Sequence, residues 1–191
     1  MALVSIVGTN CERDDICSET TPTTPRIIIE FRDATDTDEL KIVPRLTVYG
    51  DSTSIPVPDA EDSSSAIIID SNDGVERRLF NQNVSEAKPP LIVGAEFETI
   101  TTRFAFERRT DLRLDEDPNT SSNVDIVEFT YVSEYVYVSR ACGYKSIFTS
   151  LRVNVIDDGD NWIINTNFPD NDNTDNITVE NEDTVHLTII H

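Results

Sequence analysis

Val124-Asp125-Ile126-Val127-Glu128-Phe129-Thr130-Tyr131-Val132, followed after Ser133-Glu134 by Tyr135-Val136-Tyr137-Val138, carries the clearest pattern in this chain. Val127, Phe129 and Tyr131 fall on one face, and Glu128 and Thr130 on the other. That period of two is what a half-buried antiparallel strand requires. A bulge or turn is expected at Ser133-Glu134, after which the tyrosines repeat the alternation. Working outward, β-branched and aromatic runs bounded by turn residues predict strands over 26–31, 43–49, 66–69, 77–80, 91–93, 97–107 and 111–114. Others are predicted over 151–156, 162–165 and 185–190. Turn-rich connectors at 33–38, 50–65, 72–74, 115–123 and 168–176 separate them.

Helix signals are sparse. Tyr144, Ile147, Phe148 and Leu151 stand at i, i+3, i+4 and i+7, so a short helix is expected over 144–151, after Cys142-Gly143. Many short strands with almost no helix predict an all-β fold, an antiparallel β-sandwich of immunoglobulin-like architecture with at most one short helix. The domain is expected to occupy 26–191. Residues 11–25, with Pro22 and Pro25 in a stretch lacking hydrophobic period, read as a tether.

At 191 residues the chain fits one domain, long enough to bury about 70% of the surface its unfolded form exposes. Thirty-six acids against 15 Lys plus Arg leave a net charge of -21. Such a surface repels nucleic acid, and no nucleic-acid partner is expected. After Arg152 the chain carries nine acids and no Lys or Arg, a patch that either solvates the domain or docks on a basic partner.

The apolar stub Ala2-Leu3-Val4-Ser5-Ile6-Val7-Gly8 runs toward Cys11, as the end of a bacterial lipoprotein signal does. Residues 1–10 are therefore expected to be the remnant of such a signal, with Cys11 lipidated. Attachment of lipid would consume one of the three cysteines and leave Cys17 and Cys142 as a disulfide pair. The alternative is three unrelated thiols in a reducing compartment.

No catalytic constellation is present. The two histidines are His186, expected on an edge strand, and His191. There is no Gly-x-Ser-x-Gly elbow, no phosphate-cradling glycine loop and no Cys/His metal spacing, so neither enzyme activity, cofactor nor metal is expected. Asp115-x-Asp117-x-Asn119 and Asp170-x-Asp172 alternate oxygen ligands as calcium loops do. Both lack the Gly at the sixth position and the Glu at the twelfth, and solvated acidic loops are the reading preferred.

The head Cys11-Glu12-Arg13-Asp14-Asp15-Ile16-Cys17 and the block Ala141-Cys142-Gly143-Tyr144-Lys145 together resemble a family of small Bacteroidota outer-membrane lipoproteins classed as a domain of unknown function. The resemblance implies lipid on Cys11, and a surface-export signal in Arg13, Asp14 and Asp15. It also implies a place at the outer membrane, facing the cell exterior, with the periplasmic face as the alternative. The partners it implies are outer-membrane β-barrel proteins and other lipoproteins, in machinery that assembles or exports outer-membrane proteins. A second expectation is a surface glycan-binding or adhesive module. That would need Tyr135, Tyr137 and Trp162 exposed, whereas alternating aromatics are expected to pack inward.

Overall fold

The structure, a computed structural model, describes residues 17, 23–70, 75–169 and 177–191. In chain order the elements are β1 (Ile29–Arg32), β2 (Val43–Gly50), β3 (Ile68–Asp70), β4 (Arg77–Arg78), β5 (Gln82–Val84), β6 (Glu86–Ala87) and β7 (Thr99–Arg108). They continue with α1 (Thr110–Leu114), β8 (Asn123–Ser139), β9 (Gly143–Val155), β10 (Asn165–Asn167), β11 (Ile177–Val179) and β12 (Leu187–Ile190). A six-stranded sheet in the order β11-β9-β8-β7-β2-β5 packs on a four-stranded sheet in the order β10-β12-β1-β6. The pairings are antiparallel except β1 with β12, which run parallel in the smaller sheet.

The inner face of the larger sheet is the one the alternation marks. Val127, Phe129 and Tyr131 of β8 are fully buried beside Phe104 and Phe106 of β7 and Phe148 of β9. Ile29 and Phe31 of β1 and Leu187 and Ile189 of β12 face them. Phe31 meets Phe106 edge-on at 6.5 Å between ring centroids and Trp162 at 6.3 Å, so aromatic contacts join the two sheets. Asp125 continues the inward row at the end of β8. Its carboxylate accepts the backbone N–H groups of Trp162 and Ile163 at 3.2 and 2.8 Å. That satisfies a buried carboxylate and turns the chain toward β10.

Five local expectations are overturned, the first being the bulge or turn at Ser133-Glu134, which β8 passes without a register shift. Residues 144–151 are strand, not helix. Tyr144, Ser146 and Phe148 share the inner face, and an extra residue at Ser150, with φ 54°, then turns Leu151 inward as well. A bulge in a period-two pattern thus imitates a helical spacing at three of the four apolar positions, while Ile147 faces the other side. Residues 111–114 form α1 rather than a strand, because Arg109 (φ 61°) reverses the chain and lets Arg113 reach buried Glu107. Residues 91–93 are not a strand, since the Ile92 carbonyl is taken by the Tyr131 hydroxyl at 2.9 Å. Likewise 162–164 lies outside the ladder, its first N–H groups being held by Asp125, and the strand begins only at Asn165.

His186 immediately precedes β12, which lies between β10 and β1 and not at an edge as expected, and it is buried. Its Nδ1 accepts the Ile28 N–H at 2.9 Å, aligning β12 beside β1. Burial holds both His186 and His191 below the usual imidazole pKa. The unfolded chain therefore binds protons first as pH falls below about 6.5, and stability contributed by the neutral rings is lost from there downward. Thermal melts between about pH 7.5 and 5 are expected to show Tm falling with acidity. His186→Gln, which keeps an acceptor for Ile28, should flatten that slope. Asp125, whose pKa burial raises, acts in the opposite direction in both proteins and cancels in the comparison.

Candidate functional site

The central hairpin outruns the sandwich. β8 is 17 residues long and β9 13, and their pairing continues to Ser139↔Gly143. Along the inner row of β8, Ser133 is fully buried, but Tyr135 is 40% and Tyr137 57% exposed. Tyr144, directly opposite Tyr137, is 69% exposed and meets it edge-on at 5.5 Å. The same face that builds the core thus continues as an uncovered aromatic surface. The expectation that Tyr135 and Tyr137 pack inward is corrected here, while Trp162 is buried.

A second element borders this tip. In the 91–98 loop, Phe97 is 70% exposed and holds φ 63°, a left-handed conformation costly for a bulky side chain. The conformation is stapled in place: the Phe97 N–H donates to the Ser133 carbonyl at 2.8 Å, and the Ser133 N–H donates to the Glu98 carbonyl. The Tyr135 hydroxyl donates to the Gly94 carbonyl at 2.7 Å. A Cβ on Gly94 would stand 2.3 Å from Ile100 Cδ1, so a side chain there would have to displace the end of Ile100 on β7.

The tip is also where the N-terminal segment is fastened. Cys17 and Cys142 have their sulfurs 2.07 Å apart, a bonded pair 125 residues apart in sequence. Farther along, the Ser146 N–H donates to Thr24 Oγ1 at 3.1 Å. Lys145 Nζ donates to the Glu180 carbonyl, and Arg26 grips Glu182 with Nε and Nη2 at 2.9 and 2.7 Å. Hairpin tip, N-terminal segment and the stretch after β11 are sewn together by these contacts.

Beside the 91–98 loop lies a groove of about 830 Å³. It runs between the early part of β7 (Thr101, Phe104), the Gly50-Asp51-Ser52 turn and the 64–68 stretch, and Ile92 lines it as well. The 50–65 loop that forms one wall is fastened from behind by a part-buried ion pair. Glu107, with no side-chain exposure, takes Arg113 at 2.6 and 2.9 Å and Ser122 Oγ at 2.5 Å, while Arg113 also donates to the Pro58 carbonyl.

The other sites named from sequence do not assemble into chemistry. Cys11, Arg13, Asp14, Asp15, Asp170 and Asp172 lie outside the described residues. Asp115 and Asp117 use their carboxylates in local turns, accepting the Asp117 and Asn119 N–H groups at 2.9 Å each. Among the described residues no cluster of His, Cys, Asp and Glu is placed to hold a metal ion. The groove carried no sequence signal beyond the position of the 50–65 loop, and the exposed aromatics no signal that separates them from core. No protein-family description matches the chain, and neither curated proteins nor solved structures yield a match.

Replacing Cys142 by Ala is expected to lower the unfolding free energy by up to about 4–5 kcal/mol, the loop-closure figure for a ring this long. Guanidinium melts with and without reductant check it: the variant should be insensitive to reductant. Glu107→Ala strands Arg113, which keeps partial access to water, and should cost about 2–3 kcal/mol in the same assay. It should also raise protease cutting within 50–65.

Proposed function

We propose that the chain is a non-enzymatic, lipid-anchored accessory subunit of an outer-membrane β-barrel complex, serving machinery that assembles or exports outer-membrane proteins. The observation that supports this reading best is the seating of the N-terminal segment on the aromatic hairpin tip through Cys17 and Cys142. Cys11 precedes Cys17 by six residues, a span of at most about 22 Å when fully extended. Acyl chains on Cys11 would hold the tip within that distance of the lipid headgroups. Tyr135, Tyr137, Tyr144 and Phe97 would then face the headgroup layer or the loops of a barrel seated in it. Tyrosine suits that zone because its ring prefers apolar surroundings and its hydroxyl stays wet.

Charge supports the same orientation. With a net charge of -21 the body of the domain is repelled by an anionic membrane, so it stands off while the hairpin tip, which over residues 135–145 carries Arg140 and Lys145 and no acid, approaches. A bacterial lipoprotein carries several acyl chains, and anchoring of that kind is firm without further contacts. The barrel would be engaged by protein surface: the tip, the 50–65 loop and the acidic 168–183 region. An export signal in Arg13, Asp14 and Asp15 belongs to this reading and directs the domain to the outer face.

The exposure of Tyr137, Tyr144 and Phe97 favours one second reading, a surface glycan-binding module whose sugars stack on those rings. Metabolic labelling with a palmitate analogue, in wild type and Cys11→Ala, separates the readings when combined with affinity purification from membranes. Label on wild type alone, with a β-barrel protein recovered alongside, is the outcome expected. Tyr137→Ser with Tyr144→Ser should reduce barrel recovery by about tenfold, equivalent to about 1.4 kcal/mol, with Tm unchanged. An unlabelled chain that recovers no barrel protein and binds polysaccharide would sink the first reading in favour of the second.

A further inference from the structure

We infer that the groove beside β7 is a docking slot for an extended peptide segment of a protein partner, bound by strand addition and flanked by basic residues. The inference does not depend on Cys11 or on lipid.

The argument begins with strand lengths. β2 leaves β7 at the Gly50↔Phe104 pair, but β7 continues to Thr99 and stays paired with β8 to Thr99↔Val132. Past Phe104 the edge of β7 makes, among the described residues, one backbone hydrogen bond on that side, the Asp51 N–H donating to the Arg103 carbonyl at 2.9 Å. That bond shows which way the peptide groups point. Arg103 directs its carbonyl away from β8, and pairing is unbroken from Thr99 to Arg108, so Thr101 directs its N–H and C=O the same way. Among the described residues, neither group of Thr101 has a backbone partner on that side. An unpaired strand edge lining a groove is a template for one more strand.

The opposite wall is held apart. Arg78 donates to the Ser64 and Ala66 carbonyls at 2.7 and 2.8 Å, fixing the 64–66 stretch where it is. Pro58 is pulled back by Arg113. The slot is therefore preformed, and a ligand need not open it. Its apolar surface comes from Ile55, Ile92 and Phe104, which suits alternate apolar side chains of an added strand.

Charge selects the flanks. Asp51 lines the groove, and Asp59, Glu61 and Asp62 lie farther along the same 51–62 segment, which has no Lys or Arg. Arg103 is paired with Glu128 at 2.6 Å and Arg78 with Glu76 at 2.7 Å, so the nearby cations are already used. The ligand that complements this rim is extended, apolar at alternate positions and cationic at its ends.

The test adds the synthetic peptide Lys-Thr-Val-Thr-Ile-Thr-Val-Thr-Lys to the full chain at about 1 mM, within reach of weak strand addition, and follows amide exchange and chemical shifts. The Thr99 and Thr101 amides are expected to exchange about tenfold more slowly. A peptide with Pro at each apolar position should fail, and one ending in Glu should bind several-fold more weakly. Thr101→Pro removes the N–H that faces the slot, and Ile92→Asn alters an exposed residue whose change should leave folding intact. Either should abolish the protection. Absence of protection with wild type, or equal binding of the Pro peptide, overturns the proposal. So does protection of the same amides by phosphatidylethanolamine vesicles (a lipid surface instead), or by raised protein concentration alone (a second copy instead).

Discussion

The register of β8 is the constraint on which the rest of the sandwich depends. It pairs with β7 on one side and β9 on the other, so both neighbours take their alignment from it. Its inner row contributes two aromatic contacts within the sheet, Phe129 on Phe104 at 6.2 Å and Tyr131 on Phe148 at 5.1 Å. A slip by one residue would bring Glu128 and Thr130 inside and put Phe129 and Tyr131 in water. Each large side chain so exposed would forfeit about 1.5–3 kcal/mol of burial. The polar atoms on that row reinforce the register, since the Tyr131 hydroxyl bonds both Thr102 and the Ile92 carbonyl.

The smaller sheet is fixed by a different device. β1 lies parallel to β12, from opposite ends of the domain, and parallel neighbours cannot be joined by a tight turn. Their alignment is set by side chains at the point of approach: His186 on the Ile28 N–H, and Glu182 on Arg26. Glu182 is held below its ordinary carboxyl pKa chiefly by Arg26, so this clasp remains ionised through mild acid while the His186 contact weakens. The same region receives the Cys17–Cys142 bond, so the closure of the domain and the fastening of its N-terminal segment are one structure.

Much of the fold was legible because alternation is a direct image of a strand with one wet face. Most of β8 was located by it, β2 and β7 were located as β-branched and aromatic runs between turn residues, and the all-β class followed from the number of such runs. What was not legible has particular causes. Ser150 inserts a residue into β9, and a bulge is invisible to any fixed period. Residues 111–114 alternate as well as any strand, yet the buried carboxylate of Glu107, six residues before Arg113, needs a partner that only a reversed chain supplies. The short β5 and β6 contain few apolar residues and β11 has only three residues in all, and each exists through ladder bonds to a longer neighbour. Of the candidate site, the cysteine pair was legible by counting, while the exposed tyrosines were misread. Tyr131 and Tyr137 obey the same alternation on the same strand, and only the extent of the facing sheet makes one core and the other surface.

That observation bears on the tip and the groove together, because unequal strand length produces both. Where β8 and β9 run past the smaller sheet, their inner face is bared as an aromatic patch. Where β7 runs past β2, its edge is bared as an unpaired ladder. A sandwich built only for stability would gain by trimming such overhangs, since exposed aromatic surface and open edges invite aggregation. Here both overhangs sit at one end of the larger sheet, and side-chain contacts hold each in shape: Tyr135 on Gly94 at the tip, Arg78 on the 64–66 stretch at the groove. Phe97, in its left-handed conformation, stands between them. Exposure and missing pairing thus concentrate at the end to which the disulfide ties the chain, while at the opposite end the Asp125 carboxylate holds the Trp162 and Ile163 N–H groups and the Trp162 ring N–H donates to the Phe106 carbonyl. An asymmetry of that kind is what a scaffold with one working end requires.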